Sequence, residues 1–528
     1  MRHPRAASAW GLFAGAVALM TFLTGCASTR LESAKHIILV IGDGMQLQHE
    51  IATSRYLYGT DNGLSFHKLP YRGYVATWDV TTYNQFAGAA GKPFYDRATF
   101  DPLIGYDPQR GGIAPSPVGE PDDAYFLTPL PLAESPQRKK APATDSASSA
   151  TAYATGFKTD DGNIAWLPGD PPNGAIVTIA EKMRAQQGAA IGVVSSVPFS
   201  HATPASFVSH NVSRENVYTG KEKRDASGAT APYAGLGIAD EIINLTKPDV
   251  VIGGGHPAWN NPGFAAKNGG YISPGLYESL KTSNEYVFIE RQEGVDGGKA
   301  LRDGATAAIQ QRKKLFGLFG GADGAFENLV PANQPGAPAL ATGSDENPRL
   351  ADAAVAALEV LGKDPDGLFL MVEAGEIDWA NHGNDYARMI GATAAMDAAV
   401  QAIEDFVDRP GDNLDWSNTL LIVTADHANS YMRLSESKPL GAGALPEQKW
   451  VTTVDTSDPA QPVERSRWDY PGGEVSYHHG GHTNELVTLY AKGKAAAQFD
   501  RYRGAWYGGD IVDNTHLHDV MADAARIR

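Results

Sequence analysis

Short apolar runs alternate along the chain with longer amphipathic stretches. Residues 36–44 (HIILVIGDG), 189–197 (AAIGVVSSV), 249–255 (DVVIGGG), 367–375 (GLFLMVEAG), 419–427 (TLLIVTADH) and 486–493 (LVTLYAKG) share one form. Each is a β-branched and apolar run without alternation, the pattern of strands buried on both faces of a parallel sheet. Helical periodicity fills residues 177–187, 350–361 and 385–407; in the last, Ile390, Ala394, Ala398 and Ile403 recur close to every 3.6 residues. This order predicts an α/β fold, a doubly wound and mostly parallel sheet sandwiched between helices, with no internal repeat. Residues 83–142, rich in Pro, Gly and aromatics, and 429–479, rich in Ser, Pro and Trp, break the rhythm. Both exceed ordinary connection lengths and read as insertions at a sheet edge or at the mouth of a site.

Charge narrows the partners. Of 528 residues, 44 are Lys or Arg and 61 are Asp or Glu, a formal net charge of -17. Such a balance argues against nucleic acid as a binding partner, and an anionic substrate must be met by a local positive site. The amino terminus reads as an export signal: Arg2 and Arg5 precede an apolar run over residues 10–23, too short to span a membrane comfortably. Leu23-Thr24-Gly25-Cys26 resembles the bacterial lipobox, which implies that Cys26 becomes the lipidated first residue of the mature chain. Cys26 is also the single cysteine, so no intramolecular disulfide forms. The expected organisation is a lipoprotein signal peptide over 1–25, a tether over 26–35 and a folded domain over 36–528. A lipid anchor would hold it on the periplasmic or extracellular face of the cell membrane or outer membrane.

Candidate chemistry collects at the strand ends, where open α/β sheets form their sites. The first run ends at Asp43, the fourth at Glu373 and the fifth at Asp426-His427, and a turn with His478, His479 and His482 precedes the sixth. Singly, an Asp after a strand is a helix cap; several carboxylates on one edge repel, and a divalent metal neutralises them. Asp378 and His382 are four apart and share a face if helical. Histidine with carboxylate suits zinc, whereas Glu373 with a threonine hydroxyl and water suits magnesium. TDSASSATAYATG, from Thr144 to Gly156, reads either as a tightly packed small-residue helix or as a site with Ser146 at a helix amino terminus. Free N–H groups there favour an anion, and a serine at a metal edge can be activated by coordination. No G-x-S-x-G elbow occurs.

Six motifs stand in one order: IGDGM at Asp43, TDSASSAT at Ser146, HATPA at Thr203, VEAGEIDWANH at Glu373, VTADH at Asp426 and GGHT at His482. Together they resemble the alkaline phosphatase family across nearly all of the chain from His36. The resemblance implies that Asp378, His382 and His482 ligate one zinc, and that Asp43, Asp426, His427 and the Ser146 oxygen ligate a second. Asp43, Thr203 and Glu373 would then hold a magnesium ion, with Asp43 bridging. It further implies that Ser146 is the nucleophile, that Arg214, eleven residues after Thr203, grips phosphate, and that Asp145 orients it. A guanidinium fork suits two phosphate oxygens better than lysine does. His201 and Trp379 depart from members carrying aspartate and lysine there. His201 is left open as a ligand or an outer partner, and the third metal as magnesium or zinc.

The implied reaction is hydrolysis of small phosphate monoesters by two in-line displacements through a phosphoserine, with a homodimer as an open option. A sulfatase reading fails because Ala147-Ser148-Ser149 follows the serine. A phosphodiesterase of the same fold would resemble a two-zinc site with a threonine nucleophile and no Thr203/Glu373 pair. A lipoprotein that only binds metal or phosphate is the remaining alternative.

Overall fold

Ten strands build the central sheet: β1 (His36–Gly42), β2 (Tyr71–Ala76), β3 (Ala190–Pro198), β4 (Val250–Gly254), β5 (Tyr286–Glu290), β6 (Lys314–Leu318), β7 (Leu368–Ala374), β8 (Thr419–Thr424), β9 (Val487–Gly493) and β10 (Ile511–Asp513). Their order across the sheet is β10-β2-β9-β8-β1-β7-β3-β4-β6-β5. The computed structural model describes residues 33–101, 104, 143–217, 220–224, 230–233, 235–259, 270–326, 329–411, 413–455, 463–477, 480–503 and 510–528. The signal, residues 26–32 of the tether including Cys26, most of 83–142, and His478 and His479 lie outside the described residues. The described residues belong to one compact unit, and no described helix is long and apolar enough to cross a membrane.

Every residue of β1, β3, β4, β7 and β8 is buried, as the unbroken apolar runs require. All neighbours pair in parallel except at β9, which runs antiparallel to both β8 and β2. The parallel reading of residues 486–493 is therefore corrected. Parallel neighbours need a crossover, usually a helix, and no helix is described between β8 and β9; the chain returns through hairpins instead. Strands β2, β5, β6 and β10 gave no long apolar run; β5 is a sheet edge with four of its five residues only half-buried.

Seven helices matter to the site: α1 (Leu47–Tyr58), α2 (Ser146–Thr155), α3 (Ile179–Gln187), α4 (Ala202–Val208), α5 (Leu350–Leu361), α6 (Glu376–His382) and α7 (Tyr386–Val407). Two start later than the periodicity indicated, because a cap precedes each. Thr178 accepts from the Glu181 N–H and receives the Glu181 carboxylate in return, a capping box, while Asp385 accepts from the Arg388 N–H.

The insertions are also redrawn. A helix over Val80–Ala89 occupies the start of 83–142, because Tyr83 and Phe86 are buried against Trp78. Residues 429–479 open with Ala428–Asn429 paired to His482–Thr483, so this stretch begins inside the site. Farther out, Lys449–Asp455 and Val463–Asp469 form an antiparallel hairpin.

Candidate active site

Register brings the carboxylates together. Ile41 of β1 lies level with Glu373 of β7 and Thr424 of β8, and Glu373 lies level with Ser195 of β3. Asp43, Glu373 and Asp426 therefore crowd at the carboxyl ends of adjacent central strands, and all three are fully buried. Gly44 makes this possible. Its φ of 69° is left-handed, and an added Cβ would come within 2.8 Å of Asp378 Oδ1, so only glycine fits. Its free N–H then donates to Asp426 Oδ1 at 3.0 Å.

Helix α2 delivers the serine. Asp145 caps it, accepting from the Ser148 N–H at 2.9 Å, and all ten helix residues are buried, nine of them small and the tenth Tyr153. Ser146, the first helical residue, points its Oγ at Asp43, 3.4 Å from either carboxylate oxygen, and 3.2 Å from His427 Nε2. The same Asp145 accepts from Arg214 Nη1 at 2.8 Å. Arg214 Nη2 donates in turn to His201 Nε2 at 3.3 Å, and His201 packs edge-on against Trp379.

Three donor groups could each hold a metal ion: Asp378, His382 and His482; Asp43, Asp426 and His427; Asp43, His201 and Glu373. In the first, His382 Nδ1 faces the Gly480 carbonyl at 3.1 Å and His482 Nδ1 the Thr144 carbonyl at 2.9 Å. Those acceptors fix the protons on Nδ1 and turn both Nε2 lone pairs inward. His427 Nδ1 similarly faces the Ala428 carbonyl, and its ring stacks on His482 at 3.7 Å, so the first two groups adjoin.

Electrostatics argue that these groups are incomplete without a cation. Burial, then Asp426, Asp378 and Glu373, push Asp43 well above the carboxylate range. Burial lifts Glu373 to about 7 against a hydrogen bond from Ser195, and lifts Asp426 to about 6 against the Gly44 N–H. Burial, then His482, depress His427, and burial, then Arg214, bring His201 to about 3. Burial opposes ionisation of Asp145 too, but Arg214 and Ser148 outweigh it and hold Asp145 well below its usual range. His201 Nδ1, Thr203 Oγ1, Glu373 Oε1 and Asp426 Oδ2 are buried without a hydrogen-bond partner. Each such atom costs about 1–3 kcal/mol, and four at one place fit residues waiting for a cation. A fourth acidic group, Asp79, Asp145 and Asp161, contrasts: Asp79 accepts from the Thr82 N–H and the Ser148 hydroxyl, and Asp145 from Arg214 and the Ser148 N–H.

Two supporting side chains escaped the motif reading. Asn429, assigned to the insertion, donates to Asp378 Oδ1 at 2.5 Å, and its bridge to His482 ties both to one corner of the site. Ser195 donates to Glu373 from inside a buried strand, where a hydroxyl among apolar neighbours was the available signal.

An α/β sheet whose central strand ends carry a serine, an arginine and a three-part cradle of carboxylates and imidazoles defines the class of the protein, and the comparisons supply its family. A family profile described as alkaline phosphatase matches residues 123–460. Alkaline phosphatase H of Pseudomonas aeruginosa is 31% identical over 296 residues, 54% of this chain and 58% of that one. Alkaline phosphatase 3 of Bacillus subtilis is 31% identical over 416 residues, 71% of this chain and 75% of that one. The alkaline phosphatase of Thermus thermophilus superimposes with a TM-score of 0.55 at 19% identity, covering 97% of this chain and 96% of that one. A histidine-to-aspartate mutant of TAB5 alkaline phosphatase, with magnesium in its M3 site, gives 0.54 at 19% identity, covering 94% and 99%. This chain belongs to the alkaline phosphatase family. Its match to the first of the curated relatives spans 58% of that relative's length.

Proposed function

We propose that the protein is a phosphate monoesterase working through Ser146. The observation that carries this is the approach of Ser146 Oγ to Asp43 and His427 at the start of α2, with the Asp145–Arg214 pair beside it. Arg214 binds two non-bridging phosphate oxygens through its fork, and Asp145 holds that fork in place. The α2 amino terminus adds free N–H groups toward the same anion. Ser146 Oγ attacks phosphorus to give a phosphoserine, and the alcohol leaves on the opposite side, toward Asp378, His382 and His482. Water then attacks the phosphoserine from that side, releasing inorganic phosphate and regenerating the hydroxyl.

Two zinc ions in the histidine-containing groups and one magnesium ion at Asp43, Thr203 and Glu373 would supply charge stabilisation and a lowered pKa for serine and water. The orphaned oxygens at Glu373, Thr203 and Asp426 support that assignment. His201 stands with Asp43 and Glu373 in the third group and bonds to Arg214, which supports a role for it in setting which metal sits there.

The test is inorganic phosphate release from glycerol 3-phosphate against 4-nitrophenol release from bis(4-nitrophenyl) phosphate, with and without EDTA. Faster monoester turnover, abolished by EDTA and restored by zinc with magnesium, supports the reading. Diester preference or EDTA-resistant turnover contradicts it. The lipobox-like Leu23–Cys26 segment supports a further proposal, attachment to a membrane through Cys26. Cys26→Ser should move the activity to the soluble fraction without changing its specific value; retention of the cleaved variant on membranes would rule the anchor out.

A further inference from the structure

We propose that a recess between the starts of α5 and α6 binds a small neutral polyhydroxylated molecule, a sugar or a sugar alcohol. The recess holds about 360 Å³, and Ser196, Asn347 and Glu376 stand in its wall with Phe326 and Leu329. Its described lining contains no residue of the three metal-binding groups and neither Ser146 nor Arg214. A molecule bound there would therefore leave the phosphate site open.

Two polar groups in this wall lack partners. Glu376 is 3% exposed and Asn347 5%, and among the described residues Glu376 Oε1 and Asn347 Nδ2 are buried without a hydrogen-bond partner. Each atom left so costs about 1–3 kcal/mol. Other polar groups of the wall are already engaged. Ser196 Oγ accepts from the Gly375 N–H at 3.1 Å, and Arg302 pairs with Asp352 at 2.6 Å. Asp296 caps the helix Gly297–Gln311, accepting from the Lys299 N–H at 2.8 Å. The unmet need is one carboxyl oxygen and one amide nitrogen in the same recess.

That pair selects the ligand chemistry. Asn347 Oδ1 accepts from the Gly320 N–H at 2.9 Å, so the amide, oriented by that bond, presents donors to the recess and no lone pair to a cation. An anion would meet the Glu376 carboxyl. A hydroxyl both donates and accepts, so it satisfies Asn347 and also Glu376, whether that carboxyl is ionised or not. Several hydroxyls on a carbon skeleton fit best, because the C–H groups pack on Phe326 and Leu329. Water alone fits less well: at about 30 Å³ each, roughly twelve molecules would fill the space, and each needs two to four polar partners to be ordered. Glu376 also opens α6, which carries Asp378 and His382, so an occupant braces that helix from its first residue.

The test is isothermal titration calorimetry of the metal-loaded full chain with D-glucose, D-galactose, D-mannitol and myo-inositol. Melting temperature is unsuitable, since sugars raise it through exclusion from any protein surface. At least one of these probes should bind saturably, and saturating inorganic phosphate should not displace it. Asn347→Asp keeps the acceptor for Gly320 but replaces the donor, and should weaken binding about tenfold. In the wild type, the bound probe should slow hydrogen exchange over residues 347–352 and 376–382, a readout independent of how the variant folds. Absence of saturable binding by all these probes would mean a recess filled by water only and would overturn the inference. Displacement by phosphate, protection confined to other segments, or unchanged affinity in folded Asn347→Asp would overturn it too.

Discussion

His382 Nε2 and His482 Nε2 face each other at 3.2 Å, yet neither has a proton to give the other. Each ring spends its proton on a backbone carbonyl through Nδ1, a tautomer assigned from those acceptors. Two lone pairs held this close, with Asp378 3.0 Å from the first and 3.4 Å from the second, call for a cation between them. His482→Ala should therefore lose about one zinc per chain in elemental analysis. Asn429→Ala leaves all three donors but removes the brace on Asp378, and should weaken metal binding about 10–100-fold. Unchanged metal content in both variants would count against this group.

Arg214 is the one guanidinium paired with Asp145 beside the serine, and Asp145 keeps it oriented. Arg214→Ala should lower monoester turnover about 100-fold and weaken inhibition by inorganic phosphate. A diester presents one charged oxygen fewer to the fork, so its hydrolysis should fall less. Parallel losses on the two substrates, measured side by side, would remove Arg214 from phosphate binding.

The third donor group turns on His201. An imidazole beside Glu373 and Thr203 favours zinc where an all-oxygen shell favours magnesium. Excess zinc should inhibit, added magnesium should restore activity, and His201→Asp should reduce the zinc sensitivity. Metal titrations of the wild type and the variant that superimpose would show that His201 serves Arg214 alone.

Stability should fall in alkaline solution for a reason outside the site. His210 is held between Glu241 at 2.9 Å and Glu181 at 3.2 Å. Burial alone would lower its pKa, but the two carboxylates outweigh it and raise it from its ordinary 6.5 to about 9. A raised pKa in the folded state means stability that is complete below pH 6.5 and lost as pH climbs through 9. The contribution is on the order of 3 kcal/mol. Thermal denaturation from pH 6 to 10 should show that decline, and His210→Gln should flatten it.

The sequence pattern reveals much of this arrangement, for physical reasons. Runs buried on both faces announced β1, β3, β4, β7 and β8, and their polar last residues announced Asp43, Glu373 and Asp426. The direction of β9 was not legible, because burial is the same whichever way a strand runs; only the connection through residues 429–479 decides it. The edge strand β5 and the short β10 were hidden because neither buries a long apolar run. Asn429 was missed because its role depends on a two-residue bridge to His482, a contact between segments 53 residues apart that local pattern does not encode. Tautomers of His382 and His482 likewise depend on carbonyls brought in by other loops.

The central claim is that Ser146 Oγ takes the phosphate. Mixing metal-loaded protein with a monoester, quenching in acid and analysing peptides by mass spectrometry reads this directly. Phosphate should appear on Ser146, and Ser146→Ala should lose it together with nearly all turnover while keeping its metal content. Covalent phosphate at the wild-type level in Ser146→Ala, or wild-type turnover by that variant, would contradict the account.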